Sequence, residues 1–193
     1  MATFRTNGRT KGFIKGRSMF NFAAHLIFCA AVLAFGSYSM AAQTAAHVHG
    51  RAQMNIAVEG STITIVIEAP LDTLLGFEHA PRTAKEKQLA SAAIATLQSE
   101  NTIVLADAAA QCSTKKLEIN DSALQKPDAK GSHADIDITL ELSCKQPSQL
   151  KSFDVTLFKS FQRIQSINVQ MLKGAKSSRQ IMKRSSTLLR LPT

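Results

Sequence analysis

The chain has 193 residues, with 23 basic and 14 acidic side chains, no Trp and a single Tyr. Five basic residues (Arg5, Arg9, Lys11, Lys15 and Arg17) lie in the first 42, which hold no acidic one, so residues 43–193 carry 18 basic against 14 acidic. The high isoelectric point belongs mostly to that first segment and gives no ground for nucleic acid binding.

The basic start is followed by an apolar run from Met19 to Phe35, then Gly36, Ser37 and the small-residue stretch Ser39-Met40-Ala41-Ala42. This order is that of a secretory signal peptide, residues 1–42, with cleavage expected after Ala41, Ala42 or Ala46. The apolar run falls short of the ~20 residues a membrane-spanning helix needs, so no stable membrane insertion is expected after cleavage. Cys29 follows the bulky Phe28 and precedes further apolar residues, which does not suit lipidation. Residues 43–193 are then expected to form one exported domain, long enough for a real core.

The two cysteines that outlast cleavage are Cys112 and Cys144. An even count in an exported chain reads as a disulfide, worth roughly 3–4 kcal/mol for a loop of about 30 residues. The alternative, a pair of thiolate metal ligands, asks for a reducing compartment or Cys-x-x-Cys spacing, and neither is present.

From Ala52 to Val58 apolar and polar residues alternate, and Ile63, Ile65 and Ile67 repeat the pattern beyond Glu59-Gly60-Ser61. These predict a β-hairpin. Pro70 ends the second strand, and residues 71–76 read as a short helical turn closed by Gly76. Phe77 to Pro81 form a loop. Thr83 and Glu86 have capping-box spacing, and Leu89, Ala90, Ala93, Ile94 and Leu97 make an apolar stripe, predicting a helix over about 83–98. Short strands are expected at 103–105 and 115–119, a loop at 120–133, and a clear strand from Ala134 to Cys144. Further strands are expected near 153–157 and 167–171, a basic turn at 173–179, and a last edge strand at 187–191. The fold class is α+β: a mostly antiparallel sheet with one main helix packed on it, plus short helical turns.

Four histidines remain after cleavage: His47, His49, His79 and His133. His47 and His49 are spaced by two, so in an extended segment both rings face one side and can grip one ion. Glu78 and His79 share a loop bounded by Gly76 and Pro81. His133, Asp135 and Asp137 lie on one face of a strand. Each cluster alone also reads as ordinary loop or solvent-face chemistry. No Gly-x-Ser-x-Gly, His-Glu-x-x-His, phosphate-cradling loop or Cys-x-x-Cys is present, so no enzyme is expected. A zinc hydrolase would need a general base, and Glu78 is the one candidate.

The order of these features is more specific than any one of them. Ala46-His47-Val48-His49-Gly50 after a leader, the hairpin, Ala69-Pro70-Leu71, Leu75-Gly76-Phe77-Glu78-His79-Ala80-Pro81, the two cysteines and the Phe-rich segment at 153–161 together resemble the zinc-regulated periplasmic ZrgA-like family. The resemblance covers nearly all of residues 43–193. It implies a periplasmic zinc-binding accessory protein in zinc acquisition or homeostasis, beside components of an envelope zinc-uptake system. It implies metal ligands among His47, His49, Glu78, His79 and His133. Relatives carry a long stretch rich in His, Asp and Glu where this chain has residues 120–133, so one site is expected rather than a high-capacity buffer.

Imidazole also suits other divalent transition metals. Because histidine must be deprotonated to bind, affinity is expected to fall below about pH 6. The rival reading is a metal-free envelope interaction module. It would use the C-terminal surface, where residues 151–193 hold nine basic residues and one acidic.

Overall fold

The computed structural model describes residues 49–99, 101–125 and 134–192. Two strands, β1 (Arg51–Glu59) and β2 (Thr62–Pro70), pair antiparallel across Gly60, which takes φ 60° in the turn. Their alternation is the predicted one: Ala52, Met54, Ile56 and Val58 are buried, as are Ile63, Ile65, Ile67 and Ala69. A one-residue slip would put every one of these side chains in water, so the hydrophobic pattern fixes the register.

Pro70 starts α1 (Leu71–Leu75), and Gly76 at φ 93° ends it. Helix α2 (Ala84–Gln98) carries the capping box foreseen in the sequence: the Glu86 N–H donates to the Thr83 hydroxyl and the Glu86 carboxylate accepts from the Thr83 N–H. Ala90, Ala93 and Leu97 are its buried positions. Leu89, expected in the stripe, is 44% exposed.

Strands β3 (Leu105–Ala106), β4 (Cys112–Asn120), β5 (Asp135–Cys144) and β6 (Ser152–Asp154) follow. After them come α3 (Leu157–Ser160), β7 (Ser166–Lys173), β8 (Lys176–Lys183) and β9 (Leu188–Arg190). A six-stranded sheet has the order β4-β5-β2-β1-β7-β8, and β3-β6-β9 form a small second sheet. All pairs are antiparallel except β1 with β7. Both sheets and α2 contribute to one core, which is aliphatic apart from Phe153, Phe158 and Phe161. A disulfide joins Cys112 to Cys144 across the β4–β5 pair.

The structure departs from the sequence reading in three further places. Residues 176–183 are a strand, not part of a basic turn, and only Lys173 to Lys176 make the reversal at Gly174. An edge strand with one well-buried side chain, Met182, gives almost no alternation to detect. The strand expected at 153–157 stops at Asp154, because Leu157 and Phe158 turn inward on α3. The apolar run at 103–105 is mostly a buried connection, with Ile103 and Val104 in the core.

Candidate metal centre

The site begins with the backbone just before β1. Gly50 sits at φ 76°, and a Cβ there would lie 2.9 Å from Gln165 Cγ. Only glycine accepts that conformation without strain. The Gly50 carbonyl accepts from the N–H groups of Gln165 (2.7 Å) and Ser166 (3.1 Å), and the Gly50 N–H donates to the Thr73 hydroxyl at 3.1 Å. His49 is thereby pinned between the start of β7 and α1.

Helix α1 supplies the second group. Asp72 is almost fully buried in the first turn, and Thr73 beside it is fully buried. The Thr73 hydroxyl donates to Asp72 Oδ1 at 3.2 Å. The Asp72 carbonyl accepts from Gly76 N–H and from Arg163 Nε, each at 2.9 Å. The Arg163 guanidinium lies against Gly76, where a Cβ would stand 3.0 Å from its central carbon. Gly76 thus both ends α1 and admits the arginine that secures it.

The loop after Gly76 brings Glu78 over. His49 Nδ1 lies 2.5 Å from Asp72 Oδ2 and 3.5 Å from Glu78 Oε1. All three ligand atoms fall within 4.8 Å of one another. Ligand atoms around a tetrahedral zinc with bonds near 2.1 Å stand about 3.4 Å apart. The His49–Glu78 distance already fits. A tetrahedral ion would require the His49–Asp72 pair to open by about 0.9 Å. The hydrogen bond to Asp72 and the charges of Asp72 and Glu78 raise the His49 pKa above the ordinary histidine value.

Other expected ligands stand elsewhere. His79 stacks on Phe77 with ring centroids 5.2 Å apart, and its Nδ1 faces the Ala80 carbonyl at 3.0 Å. Its Nε2 lies 4.0 Å from Glu86 Oε1. The backbone N–H groups of Thr83 and Arg82 hold that glutamate below the usual carboxylate range. His47 and His133 lie outside the described residues. The carboxylate that sequence reasoning missed is Asp72. A signal was present: it is the lone acidic residue in Ala69-Pro70-Leu71-Asp72-Thr73-Leu74-Leu75, and an acid inside so apolar a run needs a partner.

An imidazole and two carboxylates converging at the rim of a β-rich α+β fold define a candidate divalent-metal-binding protein. Residues 46–191 match the family described as ZrgA family zinc uptake protein, and the chain belongs to that family. It has no significant match to an individual curated protein.

Proposed function

We propose that this protein is a periplasmic zinc-binding accessory in zinc acquisition, delivered through a cleaved signal peptide (residues 1–42), with residues 43–193 as the working domain. Family membership supports the zinc role. The observation that carries the site is the convergence of His49, Asp72 and Glu78. His49 supplies a nitrogen donor, and the two carboxylates bring the charge that neutralises a divalent cation. In metal-free protein the His49 proton bridges to Asp72, and zinc takes its place. His47 is two residues from His49, near enough in sequence to join the same ion. His79 and His133 remain candidate ligands. The disulfide suits an oxidising compartment. Among the described residues no helix is long and apolar enough to cross a membrane. The partners of this reading are zinc itself and components of an envelope zinc-uptake system, and its role is binding rather than catalysis.

Calorimetric titration of chelator-stripped protein with zinc tests the reading. Near-stoichiometric binding is expected, weakened at least about tenfold in His49→Ala and in Asp72→Asn. Binding no tighter than that of a short histidine peptide would dismiss it. One observation favours a second reading. From Lys173 to Arg190 there are six basic residues and no acidic one, and this stretch includes the open sheet edge β8. Binding to an envelope partner that falls with salt and ignores chelators would favour that reading.

A further inference from the structure

The three groups at the candidate centre are unequal. The side chain of Asp72 is 10% exposed, that of Glu78 58% and that of His49 76%. Asp72 is held by the Thr73 hydroxyl, and its backbone is held by Gly76 and Arg163. Glu78 stands in the connecting segment between α1 and α2, and its carboxylate lies 3.5 Å from His49 Nδ1.

These differences set an order for losing the ligands. Glu78 released from a metal regains water at once. Asp72 released from a metal that still holds the His49 ring is left as a nearly buried carboxylate with the Thr73 hydroxyl as its donor, and a buried charge so sparsely partnered is costly. Zinc has no strong geometric preference and accepts a fifth ligand before giving one up. Substitution from the solvent side is therefore easier than loss of a ligand first.

Resting on the metal-site reading above, we propose that Glu78 is the exchangeable ligand through which zinc passes to an acceptor protein, with Asp72 the anchor released last. The acceptor presents an imidazole, because in the oxidising setting that suits the Cys112–Cys144 disulfide free thiolates are scarce. The imidazole nitrogen forms a bond to zinc through its lone pair as the Glu78 oxygen–zinc bond breaks. The carboxylate keeps its electron pair and returns to water. Nothing is oxidised or reduced, and a neutral imidazole loses no proton. Further nitrogen donors of the acceptor displace His49 next and Asp72 after it, each forming its bond to zinc as the old one breaks.

Stopped-flow transfer of zinc from the loaded full-length protein to a chromogenic nitrogen-donor chelator tests this. The rate should rise in proportion to chelator concentration. Glu78→Ala should transfer faster than wild type at each concentration, with a smaller loss of zinc affinity than Asp72→Asn suffers. A rate independent of chelator concentration would overturn the proposal, as would a Glu78→Ala protein that transfers no faster or loses as much affinity as Asp72→Asn. If Asp72→Asn does not fold, the concentration dependence of wild type and the rate of Glu78→Ala decide alone. Wild-type protein that binds no zinc would overturn the metal-site reading, and this proposal with it.

Discussion

Among single residues, His49 ties the site to pH in two opposite ways. Its pKa is raised by the hydrogen bond to Asp72 and by the nearby charges of Asp72 and Glu78. In metal-free protein the protonated pair favours the folded state. That contribution is complete below the unfolded-state value, about 6.5, and disappears as pH rises through the higher folded-state value. Zinc needs the neutral ring, so its affinity grows over the same interval and falls again on acidification. The fall should begin at a higher pH than it would for an unperturbed histidine, whose pKa is about 6.5. Titrations at a series of pH values should show this midpoint moving down in Asp72→Asn, whatever that variant's absolute affinity. An unmoved midpoint would mean that Asp72 does not control the proton on His49.

At the scale of elements, the legible features were those with one wet face and one dry one. The β1–β2 hairpin and β5 each show a clean period because a single face is buried, and α2 buries Ala90, Ala93 and Leu97 of its apolar stripe. The turn before α2 was legible for a different reason, since Thr83 and Glu86 satisfy each other's backbone donors locally. Replacing Thr83 by Ala should lower stability by about 1 kcal/mol in chemical denaturation. Zinc affinity should stay unchanged, because Asp72 and Glu78 precede the helix. Strand β8 was hidden, its residues being mostly exposed on both faces. The parallel pairing of β1 with β7 was hidden as well, because it joins segments more than a hundred residues apart and leaves no local mark. In the candidate site, His49 was singled out by its two-residue spacing from His47 and Glu78 by its place in the loop between Gly76 and Pro81. Asp72 was missed because a five-residue helix gives too short a pattern to show which of its side chains faces inward.

For the molecule as a whole, the disulfide and the sheet act on the same region. Cys112 and Cys144 sit opposite each other where β4, an edge strand, begins its pairing with β5. Breaking the bond frees a loop with a sequence separation of 32 residues in the unfolded chain, which should lower stability by about 3–4 kcal/mol. A Cys112→Ser/Cys144→Ser protein should melt about 10 °C below wild type in calorimetry. The candidate metal site is built from the turn before β1, α1 and the loop after it, not from β4. Zinc affinity measured well below the melting point should therefore survive the loss of the disulfide. Loss of both together would show that the sheet edge and the site are coupled.

The central claim is that His49, Asp72 and Glu78 hold the zinc. Anomalous diffraction at the zinc edge, from crystals of zinc-loaded protein, tests it directly. One strong peak is expected about 2.1 Å from His49 Nδ1 and from a carboxylate oxygen of both Asp72 and Glu78. A peak bound instead between His79 and Glu86, or at His133, with the His49–Asp72 pair intact, would contradict it.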